Sequence, residues 1–234
     1  MRNSQRVVAA VLGGLVALML VIAIWIRVFA PRAPELSGER GSRAYDYASF
    51  DGVEISGQWQ VTLERGDAWR VAVDAPTELL DSLRVDRDGD TLGLAVDGGS
   101  RFGGFGRDND GPKATITMPA LDSIALSGAS QVSFSGFDGE RLSIASSGAS
   151  EIRATTSRFD ALSLELSGAG NADLDEISVT NADVSASGAA NVRLNMAGGR
   201  LTGEMSGAGN LAYRGTVSEQ SVDTSGFVNI RRVD

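Results

Sequence analysis

From residue 121 onward apolar and polar side chains alternate, as in Leu162-Ser163-Leu164-Glu165-Leu166 and Val192-Arg193-Leu194. A spacing of two sends one set of side chains to one side of an extended chain and the other set to the opposite side. A helical stripe would need spacings of three and four. The alternation is interrupted at regular places by one short phrase: Ser127-Gly128-Ala129, Ser147-Gly148-Ala149, Ser167-Gly168-Ala169, Ser187-Gly188-Ala189, Ser206-Gly207-Ala208 and Ser225-Gly226-Phe227. From serine to serine the steps are 20, 20, 20, 19 and 19 residues. Glycine permits a positive φ or a close backbone approach at no steric cost, so Gly128, Gly148, Gly168, Gly188, Gly207 and Gly226 read as one corner repeated in every copy.

Columns around the serine carry the same message. Three residues before it stand Ile124, Ile144, Leu164 and Val184, and five after it Val132, Ile152, Ala172, Val192, Leu211 and Ile230. Four after it come Gln131, Glu151, Asn171, Asn191, Asn210 and Asn229, amides able to hydrogen-bond to one another along a stack. About twenty residues leave room for two or three short strands and their corners but no helical crossover, so successive copies stack in parallel, with the right-handed sense usual for such connections. The fold predicted is all-β: a right-handed, single-stranded parallel β-helix of about 20 residues per turn, preceded by one N-terminal transmembrane helix.

An earlier copy is visible in disguise, because 50–63 aligns with 121–134 without a gap. Between them an insertion of about 64–120 reads as β: Trp69–Val73, a hairpin Leu83–Val96 turning at Asp88-Gly89, and Ala114–Met118. Trp59 replaces a small polar residue, as suits an atypical terminal copy. The β-helix domain is assigned to 45–234.

The run Val7–Ile26 has twenty residues without a charge, enough to span a bilayer. The expectation is a cytoplasmic segment 1–6, a membrane helix or uncleaved signal anchor 7–30, a linker 31–44 and the domain on the periplasmic side of a bacterial inner membrane; the alternative is secretion after signal cleavage. There is neither cysteine nor histidine, which removes disulfides, thiolate chemistry, the commonest general base and the commonest transition-metal ligand. A net charge of −9 argues against nucleic acid. No cofactor and no metal are expected.

Candidate chemistry is sparse. Gly103-Gly104-Phe105-Gly106-Arg107-Asp108 begins like a glycine-rich calcium nonapeptide, but no second copy follows, and a loop over 98–111 is the simpler reading. Asp86-Arg87-Asp88-Gly89-Asp90 lacks the later ligands of an EF-hand loop and reads as a hairpin turn. Trp59, Phe102, Phe105 and Arg107 form the candidate binding surface, with Trp59 also suited to the core. Outward acids Glu151, Asp173 and Asp175 beside Arg153 and Arg193 raise the alternative of a polysaccharide lyase or hydrolase, against the simpler reading of charges that solubilise a sheet face and fix its register.

At Ser167–Asn171 and Ser206–Asn210, both reading Ser-Gly-Ala-Gly-Asn, the chain resembles the bacterial head GIN domain family, whose members are described as autotransporter adhesin heads. The resemblance covers roughly 45–234 and rests on the period, the glycine column and the inserted segment. It implies a right-handed parallel β-helix, exported, without established enzyme activity and without catalytic residues to carry over. The combined expectation is a membrane-anchored, non-enzymatic envelope protein that binds or scaffolds through a solenoid face, with an envelope polysaccharide or protein as partner. Phe227, followed by Arg231, Arg232 and Asp234, is expected to cap the last turn and keep the protein monomeric.

Overall fold

The computed structural model describes residues 39–97 and 111–233. The chain divides into two units, Met1–Glu35 and Leu36–Asp234, and every described residue belongs to the second. The expected membrane helix 7–30 lies outside the described residues, as do 1–6, most of the linker, and Phe102, Phe105 and Arg107. Among the described residues no helix is long and apolar enough to cross a membrane, and helical geometry is confined to the 3₁₀ turn Leu80–Ser82.

The domain is all-β, with ten strands in one mixed sheet: β1 Arg40–Tyr45, β2 Gly52–Arg65, β3 Arg70–Pro76, β4 Leu83–Asp88, β5 Thr91–Val96, β6 Lys113–Met118, β7 Ser123–Ser135, β8 Asp138–Ala197, β9 Arg200–Thr216 and β10 Glu219–Arg232. The path runs β1-β3-β6-β2-β7-β8-β9-β10, with β4 on β5 and β5 on β2. From β2 to β10 the pairing is parallel, with Ser56 on Ser127, Ser127 on Ser147, Ser187 on Ser206 and Ser206 on Ser225. The gapless alignment of the disguised copy is therefore also its hydrogen-bond register.

Straight, the 60 residues of β8 would extend roughly 200 Å. Instead, residues one repeat apart touch: the Asn191 side-chain amide donates to Asn171 Oδ1 at 3.2 Å, and Arg193 reaches Asp173 at 3.2 Å. The chain turns at its glycines. Gly168 has φ +115, and a Cβ there would stand 3.2 Å from the carbonyl carbon and the nitrogen of Gly148, and closer still to its oxygen. Backbone conformation and the turn beneath both exclude a side chain.

Inward positions are filled from the strand segments on both sides of the corner glycines. Ile124, Ile144, Leu164 and Val184 form one buried column, and Val132, Ile152, Ala172, Val192 and Leu211 another. Between them Phe134 meets Phe159 edge-on, with ring centroids 6.4 Å apart. Fully burying one such aliphatic or aromatic side chain contributes about 1.5–3 kcal/mol, so the stack is held chiefly by these columns.

The step shortens at one defined corner. Ala197 pairs with Thr216 and Ala182 with Leu201, so four residues lead from Ala197 to Leu201, where five lead from Ile177 to Ala182. Gly198, at φ +102, and Gly199 occupy the shortened bend.

The sheet is mixed rather than wholly parallel, since β1–β3, β3–β6 and β4–β5 are antiparallel. A two-residue connection, Gly89-Asp90, can only join antiparallel strands, and it turns one residue later than the spacing predicts. Part of the expected linker is also structured: β1 lies along β3, with Arg40 bound to the Asp74 carboxylate. Beyond β2, β5 pairs in parallel with its first half and β6 with its second. Together β5 and β6 pair with most of β2 on the side away from β7.

Candidate functional site

The corner separates two of the grooves on the outward surface. After it, alternate positions carry the amide column and, two residues on, Thr62, Ser133, Arg153, Asp173, Arg193, Ala212 and Arg231. The strands hold these side chains about 4.8 Å apart from turn to turn, because the register is one to one. Asn210 donates to Asn191 Oδ1 at 3.0 Å and Asn191 to Asn171, giving a ladder of three amides; Asn229 stands in register with Asn210. Three of the four asparagines are thus joined, and their hydrogen bonds polarise one another along the column.

Beside the ladder the charges are paired. Arg153 binds Glu151 two residues earlier on its own strand, rather than Asp173 above it, and Arg193 binds Asp173. Asp173 Oδ1 is shielded from solvent and has no partner, while its Oδ2 accepts from Arg193. These residues line a groove of about 420 Å³ whose far end is Arg231. A shallower hollow of about 170 Å³, with Gln60, Thr62, Gln131 and Ser133, continues from it and shares Glu151 and Arg153. Asp175 lies outside both; its backbone carbonyl accepts from Arg214.

Before the corner, a second groove of about 550 Å³ runs along the serine column, with Glu54, Glu165 and Glu204 on its walls. Sequence reasoning missed this lane. Its signal was present, since the three glutamates all stand two residues before a corner serine.

Trp59 is buried, 2% exposed, with its indole N–H donating to the Ser56 carbonyl at 3.2 Å. It occupies the column of Ser130, in the first copy of the phrase. The ring belongs to the buried core, which accords with the core reading of this residue. Phe102, Phe105 and Arg107 lie outside the described residues. Asp86, Asp88 and Asp90 are exposed around their hairpin, and among the described residues no group of three acids is placed to hold a metal ion.

One carboxylate is perturbed. Asp51 is held above the usual carboxylate range, first by burial and then by the charges of Asp122 and Asp90. All three gather where β2 begins, with the Asp51 N–H donating to the Asp90 carbonyl at 3.1 Å. None of the three lines either groove.

A family model described as "Putative auto-transporter adhesin, head GIN domain" matches residues 49–175 and again 161–233. No curated protein matches the chain. Among solved structures, a "putative adhesin" from Bacteroides fragilis superposes with a TM-score of 0.67 at 17% identity, covering 85% of this chain and 99% of the other. A "putative adhesin" from Parabacteroides merdae matches with a TM-score of 0.48 at 12% identity, covering 83% and 97%. A "Putative lipid binding protein" from Parabacteroides distasonis gives 0.43 at 17% identity, covering 85% and 98%. At these identities the first likeness concerns the fold.

Proposed function

Since the chain belongs to the head GIN domain family, we propose that it is a non-enzymatic envelope protein that binds an extracytoplasmic polymer along the amide-and-arginine lane of a parallel β-helix. The observation that carries this reading is the ladder Asn171–Asn191–Asn210, flanked by Arg153, Arg193 and Arg231 in one groove. Parallel one-to-one register over successive copies supports the β-helix, and the rule for parallel crossovers supports a right-handed one. A lane that repeats every turn suits an extended, repetitive ligand, such as a glycan chain, better than a small molecule. Amides and guanidinium groups supply donors and acceptors for hydroxyls, and an orphan oxygen such as Asp173 Oδ1 accepts one more with a slight shift.

The apolar run 7–26 would hold the domain at the inner membrane, facing the periplasm. The lane's own carboxylates, Glu151 and Asp173, are each engaged by an arginine, which favours recognition over a glycosidase-type carboxylate pair. The test is binding of the purified protein to envelope polysaccharides, with Asn191→Leu and Arg193→Ala in parallel. The native protein should bind without altering the chain length of the polymer, and each variant should bind at least tenfold more weakly. Release of shortened products, or equal binding by all three proteins, would overturn the proposal.

A further inference from the structure

The two ends of the stack are finished differently. At the N-terminal end, antiparallel strands β1, β3 and β4 lie beyond the last parallel pairing. At the other end β10 pairs with β9 alone among the described strands, so over fourteen residues every second N–H and C=O faces away from the sheet. The expected cap is not formed. Phe227, which the sequence reading assigned to it, is 90% exposed, and Val222, Val228 and Ile230 are only partly covered at the open end of the core. A long unpaired edge with apolar inward residues is a template for another strand.

The charge pattern of that edge says which strand fits. Before the corner at Gly226 the strand carries Glu219 and Asp223; after it come Arg231 and Arg232. A parallel neighbour in the same register would set acid over acid and arginine over arginine. An antiparallel copy of the same strand sets the acidic arm over the basic one. A two-fold axis through Gly226 does this while keeping inward residues inward: Val222 faces Ile230 of the second copy, Thr224 faces Val228, and Asp223 comes diagonally beside Arg231. Diagonal neighbours on adjacent strands are within reach of long side chains.

We propose that β10 is a self-pairing edge, and that two copies of this chain join end to end through it in an isologous, antiparallel dimer whose cores become continuous. Such an interface closes on itself and leaves no free edge to propagate. The result is one stack of doubled length with an antiparallel cap at each end, and the two binding lanes run in opposite directions.

The experiment is sedimentation of the full chain in detergent, chosen because of the apolar run 7–26, with Asp223→Arg, Arg231→Glu and the double variant. Both positions are exposed, and a thermal melt of each protein checks that it folds. The native chain should sediment as a concentration-dependent dimer. Each single variant should weaken the dimer at least tenfold, and the exchanged pair should restore it, because the antiparallel copy brings each new charge beside its opposite. A monomeric native chain overturns the proposal, including one that captures only a different protein. So do a double variant as weak as either single one, and assemblies that grow beyond two copies.

Discussion

Replacing a corner glycine by alanine separates two costs that usually arrive together. Gly57 and Gly168 share a backbone conformation, with φ +102 and +115. At Gly57, among the described residues, a Cβ meets nothing nearer than Val96 Cγ2 at 3.8 Å, and no corner glycine of the described residues lies against it. At Gly168 it would press on the Gly148 peptide, with carbon and nitrogen at 3.2 Å. Holding an alanine at such a φ costs about 1–3 kcal/mol. Forcing it against a rigid backbone adds about 1–3 kcal/mol of overpacking. Gly57→Ala should therefore cost about 1–3 kcal/mol and Gly168→Ala about 2–6 kcal/mol. Urea unfolding followed by circular dichroism reads the difference: with a slope of about 2 kcal/mol per molar, the Gly168→Ala midpoint falls about 1 M below that of Gly57→Ala. Coincident midpoints would refute the claim that stacking, rather than φ alone, requires glycine in this column.

Two further substitutions probe other parts of the domain. Thr156 has φ +52 at the corner column where Gly136 and Gly215 stand, at +81 and +82, so Thr156→Gly relieves strain and should raise stability by about 0.5 kcal/mol after the entropic cost of glycine, seen as a higher melting temperature. Asp51, whose carboxyl is held above its ordinary range by burial and by Asp122 and Asp90, favours its neutral form in the folded state. Its contribution to stability is thus complete below the unfolded value, near pH 4, and is lost as pH rises through the folded one. Asp51→Asn should accordingly gain on the native protein between about pH 4 and pH 7 in parallel denaturation curves, and an unchanged difference would show that Asp51 is not perturbed.

The repeated part was legible in the sequence because its register is written residue by residue. Serine over serine and asparagine over asparagine are stacking contacts as well as a text pattern, and 50–63 could be aligned before its pairing was known. The parallel pairing of β5 and β6 with β2 escaped that reading, since no Ser-Gly-Ala phrase lies between them in the sequence. Thr91-Leu92-Gly93-Leu94 alternates as any strand does, and alternation alone does not say which neighbour it pairs with. The supposed cap at Phe227 failed for a related reason: bulk and charge at a chain end look alike whether they shield an edge or leave it open. The ladder was visible as a column, whereas the glutamate-walled groove was not, because its residues recur only in some copies.

The bend at Gly198-Gly199 loses one residue while the columns on either side of it keep their alignment. Length is therefore negotiable there, as it is not at the serine corners. A peptide spliced between those two glycines would bulge outward as a loop and leave the stacked residues undisturbed, which makes the bend the natural port for displaying foreign sequence on this scaffold.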